Sequence, residues 1–305
     1  MEILRFLEGI RTPFLDSFFS AVTHFGEETF FIVLGLIFFW CVNKKEGYYL
    51  LSVGFIGTVI NQFLKLLFRI PRPWVKDPDF TIVESARAEA TGYSFPSGHT
   101  QSSVGAFGSI ARWNKENYIR ILAIIICVLV PFSRLYLGVH TPLDVGVSVI
   151  VAVILIFGLY PLINNCFEKK RTMRILFSVM FLLSALYLAF VLLYGFPENV
   201  DEANLANGTK NAYKMLGCTL GVVIGFEIDN RFTNFETKGN FLCQALKFIV
   251  GIIPLLAIKE GIKYPLSLLF SGGYIADLVR YLILILFVIC VWPLTFKWFR
   301  RITKS

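Results

Sequence analysis

The chain has 305 residues, of which 56% are hydrophobic and only 16% are charged, whereas soluble domains carry about 25% charged residues. This composition excludes a disordered chain, a fibrous protein and a soluble globular enzyme, and it indicates a multi-pass helical membrane protein. The formal net charge is +8. In a membrane protein such charge sits in short loops and sets topology, so we expect no nucleic-acid partner.

Apolar runs of helical length recur along the whole chain. Several are shorter than the roughly 20 residues that span a bilayer and need tilt, flanking residues or burial within a bundle. The predicted fold is therefore all-α, a polytopic transmembrane helical bundle. We expect no cleavable signal peptide, because no basic stretch followed by an apolar core precedes the first segment. The ten predicted helical segments are 13–25, 29–42, 47–68, 99–111, 119–137, 143–163, 175–196, 215–228, 241–258 and 278–298.

The charges in the connecting loops predict an orientation. Loops on one side carry 15 Lys and Arg residues, and loops on the other side carry 11. Since excess Lys and Arg marks the cytoplasmic side, the C-terminus is predicted to be cytoplasmic. The first segment either spans the membrane or lies along its interface.

Three short strings stand at helix ends on the predicted extracytoplasmic face. The first runs from Lys65 to Arg72-Pro73, the second is Pro96-Ser97-Gly98-His99, and the third runs from Ser133-Arg134 through His140 to Asp144. Because one predicted helix leaves this face at His99 and the next returns to it, the three strings can converge at one depth.

The residue types in these strings suit a phosphate group. Lys65, Arg72 and Arg134 are cations beside apolar helices, where charge is costly and marks function. Arginine binds phosphate bidentately and lysine acts as a point charge. Ser97 and Gly98 open a helix whose N–H groups and dipole favour an anion. Each cation alone could equally be an interface anchor.

Two of the three histidines in the chain fall in these strings. Asp144 follows His140 by four residues and can hold the proton of one ring nitrogen, which leaves the other nitrogen free to attack. His99 is then available to protonate a leaving oxygen. Asp144 is also a good residue for the first turn of a helix, and that structural role can coexist with the catalytic one.

Together the strings resemble the signature of the type 2 phosphatidic acid phosphatase (PAP2) superfamily, K-x6-RP, PSGH and SR-x5-H-x3-D. All 11 fixed positions match in order, with gaps of 22 and 33 residues. The resemblance implies that His140 is the nucleophile, Asp144 its orienting partner and His99 the general acid. It implies phosphate ligands at five positions: Lys65, Arg72, Ser97, Gly98 and Arg134.

The resemblance also implies hydrolysis without a metal or cofactor, a site near the outer face of the cell membrane, and a six-helix core within residues 10–165. We therefore expect a catalytic core over 1–170 and about four additional C-terminal helices over 171–305, whose role it does not imply.

The predicted function is hydrolysis of a lipid phosphate or diphosphate through a phosphohistidine, with membrane lipids as surroundings. Phosphatidate, phosphatidylglycerol phosphate and undecaprenyl diphosphate remain candidate substrates, and the oligomeric state is not predicted. Two alternatives stay open: a phosphotransferase acting on a lipid or sugar acceptor, and a non-catalytic lipid-binding or transport protein. The intact set of site residues favours an enzyme.

Overall fold

The structure is a computed structural model that describes residues 1–88 and 90–303. These residues form helices and connecting segments without a β-strand, which confirms the all-α prediction. The α-helices are α1 (Glu2–Gly9), α2 (Pro13–Thr23), α3 (Glu28–Ile37), α4 (Lys44–Phe68), α5 (Pro73–Lys76), α6 (Gly98–Trp113), α7 (Asn117–Tyr136), α8 (Pro142–Cys166), α9 (Lys170–Leu193), α10 (Glu202–Ile228), α11 (Phe241–Gly261), α12 (Lys263–Leu269), α13 (Ile275–Leu286) and α14 (Phe296–Ile302).

The helices are those of a multi-pass membrane protein. Within the described ranges, six helical stretches are long and apolar enough to cross a membrane: Lys44–Lys76, Asn117–Tyr136, Pro142–Cys166, Lys170–Leu193, Phe241–Leu269 and Ile275–Ile302. The bent pair Pro13–Gly26 and Glu28–Val42, with 52° between its halves, adds a seventh span if the pair is counted as one.

Four helices differ from the sequence-based expectation: α5 (Pro73–Lys76) and α12 (Lys263–Leu269) were not predicted, and the other two are α1 and α10. The short helix α1 was not predicted, and it buries Leu4 and Leu7. Helix α10 begins at Glu202 rather than near residue 215, because its first turns are polar and carry no apolar periodicity. The start of α10 is nevertheless marked by an N-cap residue. The Asp201 carboxylate accepts a hydrogen bond from the Asn204 N–H at 2.8 Å, as N-cap side chains do.

The chain forms two compact units, each built from separated segments. Unit 1 comprises Met1–Leu34, Tyr49–Pro161 and Pro197–Asn207. Unit 2 comprises Gly35–Tyr48, Leu162–Phe196 and Gly208–Ser305. All eight predicted site residues belong to unit 1.

Helix α6 is the central helix of unit 1. Its sequence is rich in glycine and serine, and it is buried along most of its length. The small side chains allow close neighbours: a Cβ added at Gly108 would lie 2.5 Å from Ile156 of α8. On α4, a Cβ added at Gly57 would lie 2.7 Å from the Gln101 amide nitrogen of α6. Close packing therefore holds α6, the helix that begins with Gly98 and His99, between α4 and α8.

In unit 2, a seam of glycines joins α10 to the region around α13. Gly217, Gly221 and Gly225 follow one another at four-residue spacing, so they share one helix face. A Cβ added at Gly217 would lie 2.2 Å from the Leu278 carbonyl oxygen, and at Gly225 the nearest atoms belong to the Ile289 side chain at 3.0 Å. The helices thus approach closely through small residues, as membrane helices commonly do.

A buried lysine of unit 2 is satisfied by backbone carbonyls. Lys247 is fully buried, and its ammonium donates to the Trp40 carbonyl at 3.3 Å and to the Thr237 carbonyl at 3.1 Å. It also lies 4.7 Å from the centre of the Phe296 ring. These contacts give Lys247 a structural role in the packing of unit 2.

We expect Gly217→Ala to destabilise the protein by about 1–3 kcal/mol, because the obstructing atom is backbone that cannot rotate away. Gly158→Ala in α8 is the matched control. A Cβ there meets nothing within 4 Å. Gly158→Ala should therefore leave the free energy of unfolding unchanged or, because alanine favours the helix more than glycine, raise it by roughly 0.5–1 kcal/mol. Thermal unfolding of the two variants in detergent checks the prediction, and equal unfolding temperatures would contradict it.

Candidate active site

Unit 1 encloses a cavity of about 380 Å³. Within the described residues, its lining consists of polar side chains and glycine. Ser97 and Asp144 are buried next to residues of the lining. The other six predicted site residues all line the cavity, namely Lys65, Arg72, Gly98, His99, Arg134 and His140.

Arg72 is held by three backbone carbonyls. Its guanidinium donates to Gly92 O at 3.1 Å, to Thr91 O at 2.7 Å and to Val139 O at 2.9 Å. The next carbonyl of the same loop, Tyr93 O, accepts from the Lys65 ammonium at 2.5 Å. Three consecutive carbonyls of residues 91–93 therefore orient two of the predicted phosphate ligands.

The loop 91–93 is itself braced by the segment Pro197–Asn207 of the same unit. The Asp201 N–H donates to the Tyr93 hydroxyl at 3.3 Å. The Asn204 side chain lies 3.7 Å from the position that a Cβ on Gly92 would occupy. Residues distant in sequence thus support the loop that holds the cations.

Arg134 stands in the last turn of α7 and is fully buried. Its guanidinium donates to the Thr23 hydroxyl at 2.6 Å. Its carbonyl accepts from the backbone N–H of Val139 at 3.2 Å and of His140 at 3.3 Å. The same residue therefore supplies a cation to the cavity and fixes the backbone that carries the second histidine.

The hydrogen bonds of His140 define its tautomer. Its Nε2 lies 2.9 Å from Arg72 Nη1, and a guanidinium can only donate, so Nε2 is the acceptor and Nδ1 carries the proton of the neutral ring. Nδ1 lies 3.6 Å from Asp144 Oδ2, which is longer than a hydrogen bond. The carboxylate is fixed facing the ring, because its Oδ2 accepts from the Ser94 hydroxyl at 2.6 Å and from the Thr141 N–H at 2.7 Å.

Burial and positive neighbours keep His140 neutral. Burial lowers the pKa of this imidazole well below its usual range, and the charges of Arg72, Arg134 and Lys65 lower that pKa further. Both effects disfavour the protonated ring. Nε2 therefore carries a lone pair rather than a proton at neutral pH, and that lone pair accepts the Arg72 hydrogen bond.

Ser97 and Gly98 begin α6. Ser97 is fully buried and acts as the N-cap, since its hydroxyl accepts from the Thr100 N–H at 3.3 Å. Its own N–H donates to Asp144 O at 3.2 Å. Gly98 lines the cavity, and a Cβ there would meet nothing within 4 Å. The α6 N-terminus thus offers open backbone to an anion in the cavity.

Sequence reasoning missed several residues of the site. Thr23 and Ser94 hold Arg134 and Asp144 through side-chain hydrogen bonds, and no local pattern marks them. Asn61 and Gln101 also line the cavity. Asn61 did carry a signal, because a polar side chain inside a membrane-spanning helix is costly and tends to mark function.

The fold and site define a class: integral membrane proteins with cations and imidazoles gathered in a polar cavity. The family model described as PAP2 superfamily matches residues 46–168. A second, described as PAP2 superfamily phosphatase, transmembrane extension, matches residues 213–304. The chain belongs to the PAP2 superfamily and is a phosphoric ester hydrolase of that type, as the signature strings predicted.

Curated relatives carry names of lipid phosphatases. Undecaprenyl-diphosphatase BcrC of Bacillus subtilis (strain 168) is 31% identical over 160 residues, covering 51% of this chain and 80% of that protein. The "Probable sphingosine-1-phosphate phosphatase" of Dictyostelium discoideum is 33% identical, over 48% of this chain but only 38% of its own length. Sphingosine-1-phosphate phosphatase 2 of Homo sapiens is 24% identical over 86% of this chain and 68% of its own length. No solved structure matches the chain.

We expect the imidazole of His140 to titrate with a midpoint below pH 6.5, its usual value. Since the lowered pKa means that the folded protein binds this proton less readily, the ring should stay neutral, with the proton on Nδ1, as the pH falls through 6.5. Nitrogen NMR of histidine-labelled protein in detergent measures this, and loss of one signal in His140→Ala assigns it. Arg72→Gln should move the midpoint upward. A wild-type midpoint at or above pH 6.5 would show the account of its surroundings to be wrong.

Proposed function

We propose that the protein hydrolyses a lipid phosphate through a phosphohistidine formed on His140, without a metal ion. The observation that carries this proposal is the convergence of two imidazoles, three cations and a helix N-terminus on one cavity. Cations and helix N-termini are complementary to a phosphate group. The imidazole Nε2 lone pair is complementary to its phosphorus atom.

In the first step, His140 Nε2 attacks phosphorus. A P–N bond forms and the P–O bond to the lipid breaks. His99 gives a proton to the leaving oxygen, so the lipid departs as a neutral alcohol. Negative charge on the phosphate draws the Arg72 guanidinium away from Nε2 and favours a protonated His99. Asp144 stabilises the Nδ1–H of the ring while it carries the phosphoryl group.

In the second step, His99 accepts a proton from water. The water oxygen bonds to phosphorus, the P–N bond breaks, and inorganic phosphate leaves with His140 neutral again. Lys65, Arg72, Arg134 and the N–H groups at the start of α6 stabilise the charge that develops in both transition states. These cations supply the electrostatic role that a metal ion plays in other phosphatases, which supports metal-independent hydrolysis.

The substrate is a lipid phosphate. Relatives named as sphingosine-1-phosphate, undecaprenyl-diphosphate and phosphatidylglycerophosphate phosphatases support this class. We place the site near the extracytoplasmic face of the cell membrane, on the basis of the loop charges. There a headgroup enters the cavity while its chains stay in lipid. In this proposal residues 1–170 carry the chemistry, and the helices of 171–305 add to that core.

We expect His140→Ala to lower phosphate release from a lipid phosphate by at least about 10³-fold, because the nucleophile is lost. Wild-type protein with labelled substrate and excess EDTA should accumulate an acid-labile, alkali-stable phosphoenzyme on rapid quenching. That label should vanish in His140→Ala and persist in His24→Ala, which removes a histidine outside the cavity lining. A label that survives in His140→Ala, or activity abolished by EDTA, would refute the mechanism. Transfer of phosphate to an acceptor instead of its release would identify a phosphotransferase.

We expect Arg134→Lys to lower kcat/KM roughly 10- to 100-fold, since lysine keeps the charge but loses the bidentate fork. Arg120→Lys is the matched control on the same helix, because Arg120 is exposed near the other end of α7. Steady-state kinetics of both variants in mixed micelles is the measurement. Equal effects of the two substitutions would exclude Arg134 as a phosphate ligand.

A further inference from the structure

Helix α1 packs over the connection between α5 and α6, at the end of unit 1 where α7 leads to His140. Leu4 of α1 is fully buried. It lies in one apolar cluster with Phe80 and Ile82 of that connection, and Trp74 of α5 packs against the same cluster. The first helix of the chain is therefore part of the packing around the site, although it lies outside the three signature strings.

Polar contacts also join α1 to this connection. The Arg5 guanidinium donates to the Asp77 carboxylate at 2.7 Å and to the Asp79 carbonyl at 3.0 Å. The Glu8 carboxylate accepts from the Thr81 N–H at 2.8 Å. Ion pairs at a surface are weak singly. Three contacts from one short helix nevertheless fix its orientation on the connection.

Arg11 carries this contact on to the end of α7. Its Nε donates to the Tyr136 carbonyl at 3.1 Å, and its Nη1 donates to the Thr81 carbonyl at 2.9 Å. Tyr136 is the last residue of α7, where helix geometry leaves carbonyls without an intrahelical partner and the helix dipole favours a cation. A Cβ added at Gly138 would lie 2.7 Å from Arg11 Nη2. Arg11 therefore packs directly against the turn that precedes His140.

Three carbonyls of this turn accept hydrogen bonds from residues far away in the chain. The donors are the Arg11 guanidinium to Tyr136, the Val83 N–H to Leu137 at 3.1 Å, and the Arg72 guanidinium to Val139. The Tyr136 hydroxyl also donates to the Asp16 carboxylate of α2 at 2.8 Å. Arg72 lines the cavity, whereas Arg11 lies outside the lining. The position of the His140 backbone therefore depends on the N-terminal segment as well as on the site itself.

The other side of α1 is apolar and exposed. Ile3, Phe6 and Ile10, which we call the α1 stripe, are spaced three and four residues apart and so share one side of the helix. A short helix with one charged and one apolar side lies in a membrane interface. Phe14 and Phe18 of α2 are exposed as well, and α2 belongs to the bent pair that passes as a span. Because the α1 stripe leads on to this lipid-facing helix, its occupant is lipid.

We propose that residues 2–16 form an N-terminal brace through which the lipid surface positions His140. The α1 stripe enters the lipid, and Arg11 fixes the backbone that leads to the imidazole. Arg11 is thus a positioning residue, which touches neither the substrate nor the phosphorus atom. This inference rests on the proposed function and adds to it a residue outside the signature strings and a contact with the membrane.

Steady-state kinetics in phosphatidylcholine nanodiscs tests the role of Arg11. The substrate is whichever of phosphatidate, phosphatidylglycerol phosphate and undecaprenyl diphosphate wild-type protein hydrolyses. Arg11→Gln should lower kcat roughly 10- to 100-fold and leave KM within a few-fold, because the phosphate ligands stay and the nucleophile is displaced. Arg11→Lys can still donate to a carbonyl and should recover part of kcat. Arg87→Gln is the matched control, since Arg87 is an exposed arginine of the same connection that pairs with Glu84. It should keep both constants.

A pair of serine substitutions tests whether the lipid contact acts through Arg11. Ile3→Ser combined with Phe6→Ser changes only exposed side chains, and it should lower kcat several-fold. In the Arg11→Gln background the same pair should cause no further loss, because changes that act through one contact are not additive. Ile124→Ser combined with Val128→Ser is the matched control. Both of these residues are exposed on α7, and kcat should stay at the wild-type value.

Tryptophan quenching tests the lipid contact itself. In nanodiscs with brominated acyl chains, the fluorescence that Phe6→Trp adds to that of the five native tryptophans should be strongly quenched. Asp79→Trp is the control, because Asp79 is exposed and its carbonyl binds Arg5 on the charged side of α1. Quenching at position 6 no stronger than at position 79 would show that water, a second copy or another protein covers the α1 stripe, and it would refute the lipid contact.

The kinetic outcomes separate the brace from the proposed function. If wild-type protein hydrolyses a lipid phosphate but Arg11→Gln keeps its kcat or raises only KM, the brace is refuted and the hydrolysis stands. Equal loss of kcat from the serine pair in both backgrounds refutes the coupling. If Arg11→Gln yields too little folded protein, an unchanged kcat in the serine pair refutes the brace. If wild-type protein hydrolyses none of the three lipids, the proposed function fails and the role of Arg11 fails with it, while the quenching still decides the lipid contact.

Discussion

Three cations gathered around one cavity are the constraint on which the site depends. Lys65, Arg72 and Arg134 repel one another, and burial strengthens that repulsion. The protein holds them with neutral acceptors: the carbonyls of residues 91–93 and of Val139, and the Thr23 hydroxyl. Because these acceptors bring no negative charge, the excess positive charge remains available to a phosphate. The fold therefore keeps an excess of positive charge in the cavity, which a bound phosphate would neutralise.

The same excess of charge connects the cations to the chemistry of His140. Positive neighbours and burial keep its imidazole neutral, while the Arg72 hydrogen bond sets the tautomer with a lone pair on Nε2. An anion arriving in the cavity competes for Arg72 and so exposes that lone pair at the moment when phosphorus is present. In the proposed mechanism, phosphate binding and activation of His140 as the nucleophile are therefore two consequences of one arrangement.

The strings around Lys65, His99 and His140 could be recognised in the sequence because each places a charged or imidazole side chain at the end of a helix. Thr23 and Ser94 were not, since they act only through partners far away in the chain. The polar start of α10 lacked apolar periodicity and was missed, although it supports the 91–93 loop. The division into domains 1–170 and 171–305 stays a prediction. The compact units of the structure combine distant segments, among them Pro197–Asn207 with the predicted site residues.

The central claim is that one phosphorus atom sits between His140 and the three cations. A crystal or cryo-EM structure of the protein with orthovanadate, which adopts the five-coordinate geometry of phosphoryl transfer, tests it most directly. The account predicts vanadium bonded to His140 Nε2, its oxygens contacting Lys65, Arg72, Arg134 and the Gly98 N–H, and an axial oxygen facing His99. Vanadate bound outside this cavity, or inside it without a bond to His140, would contradict the account.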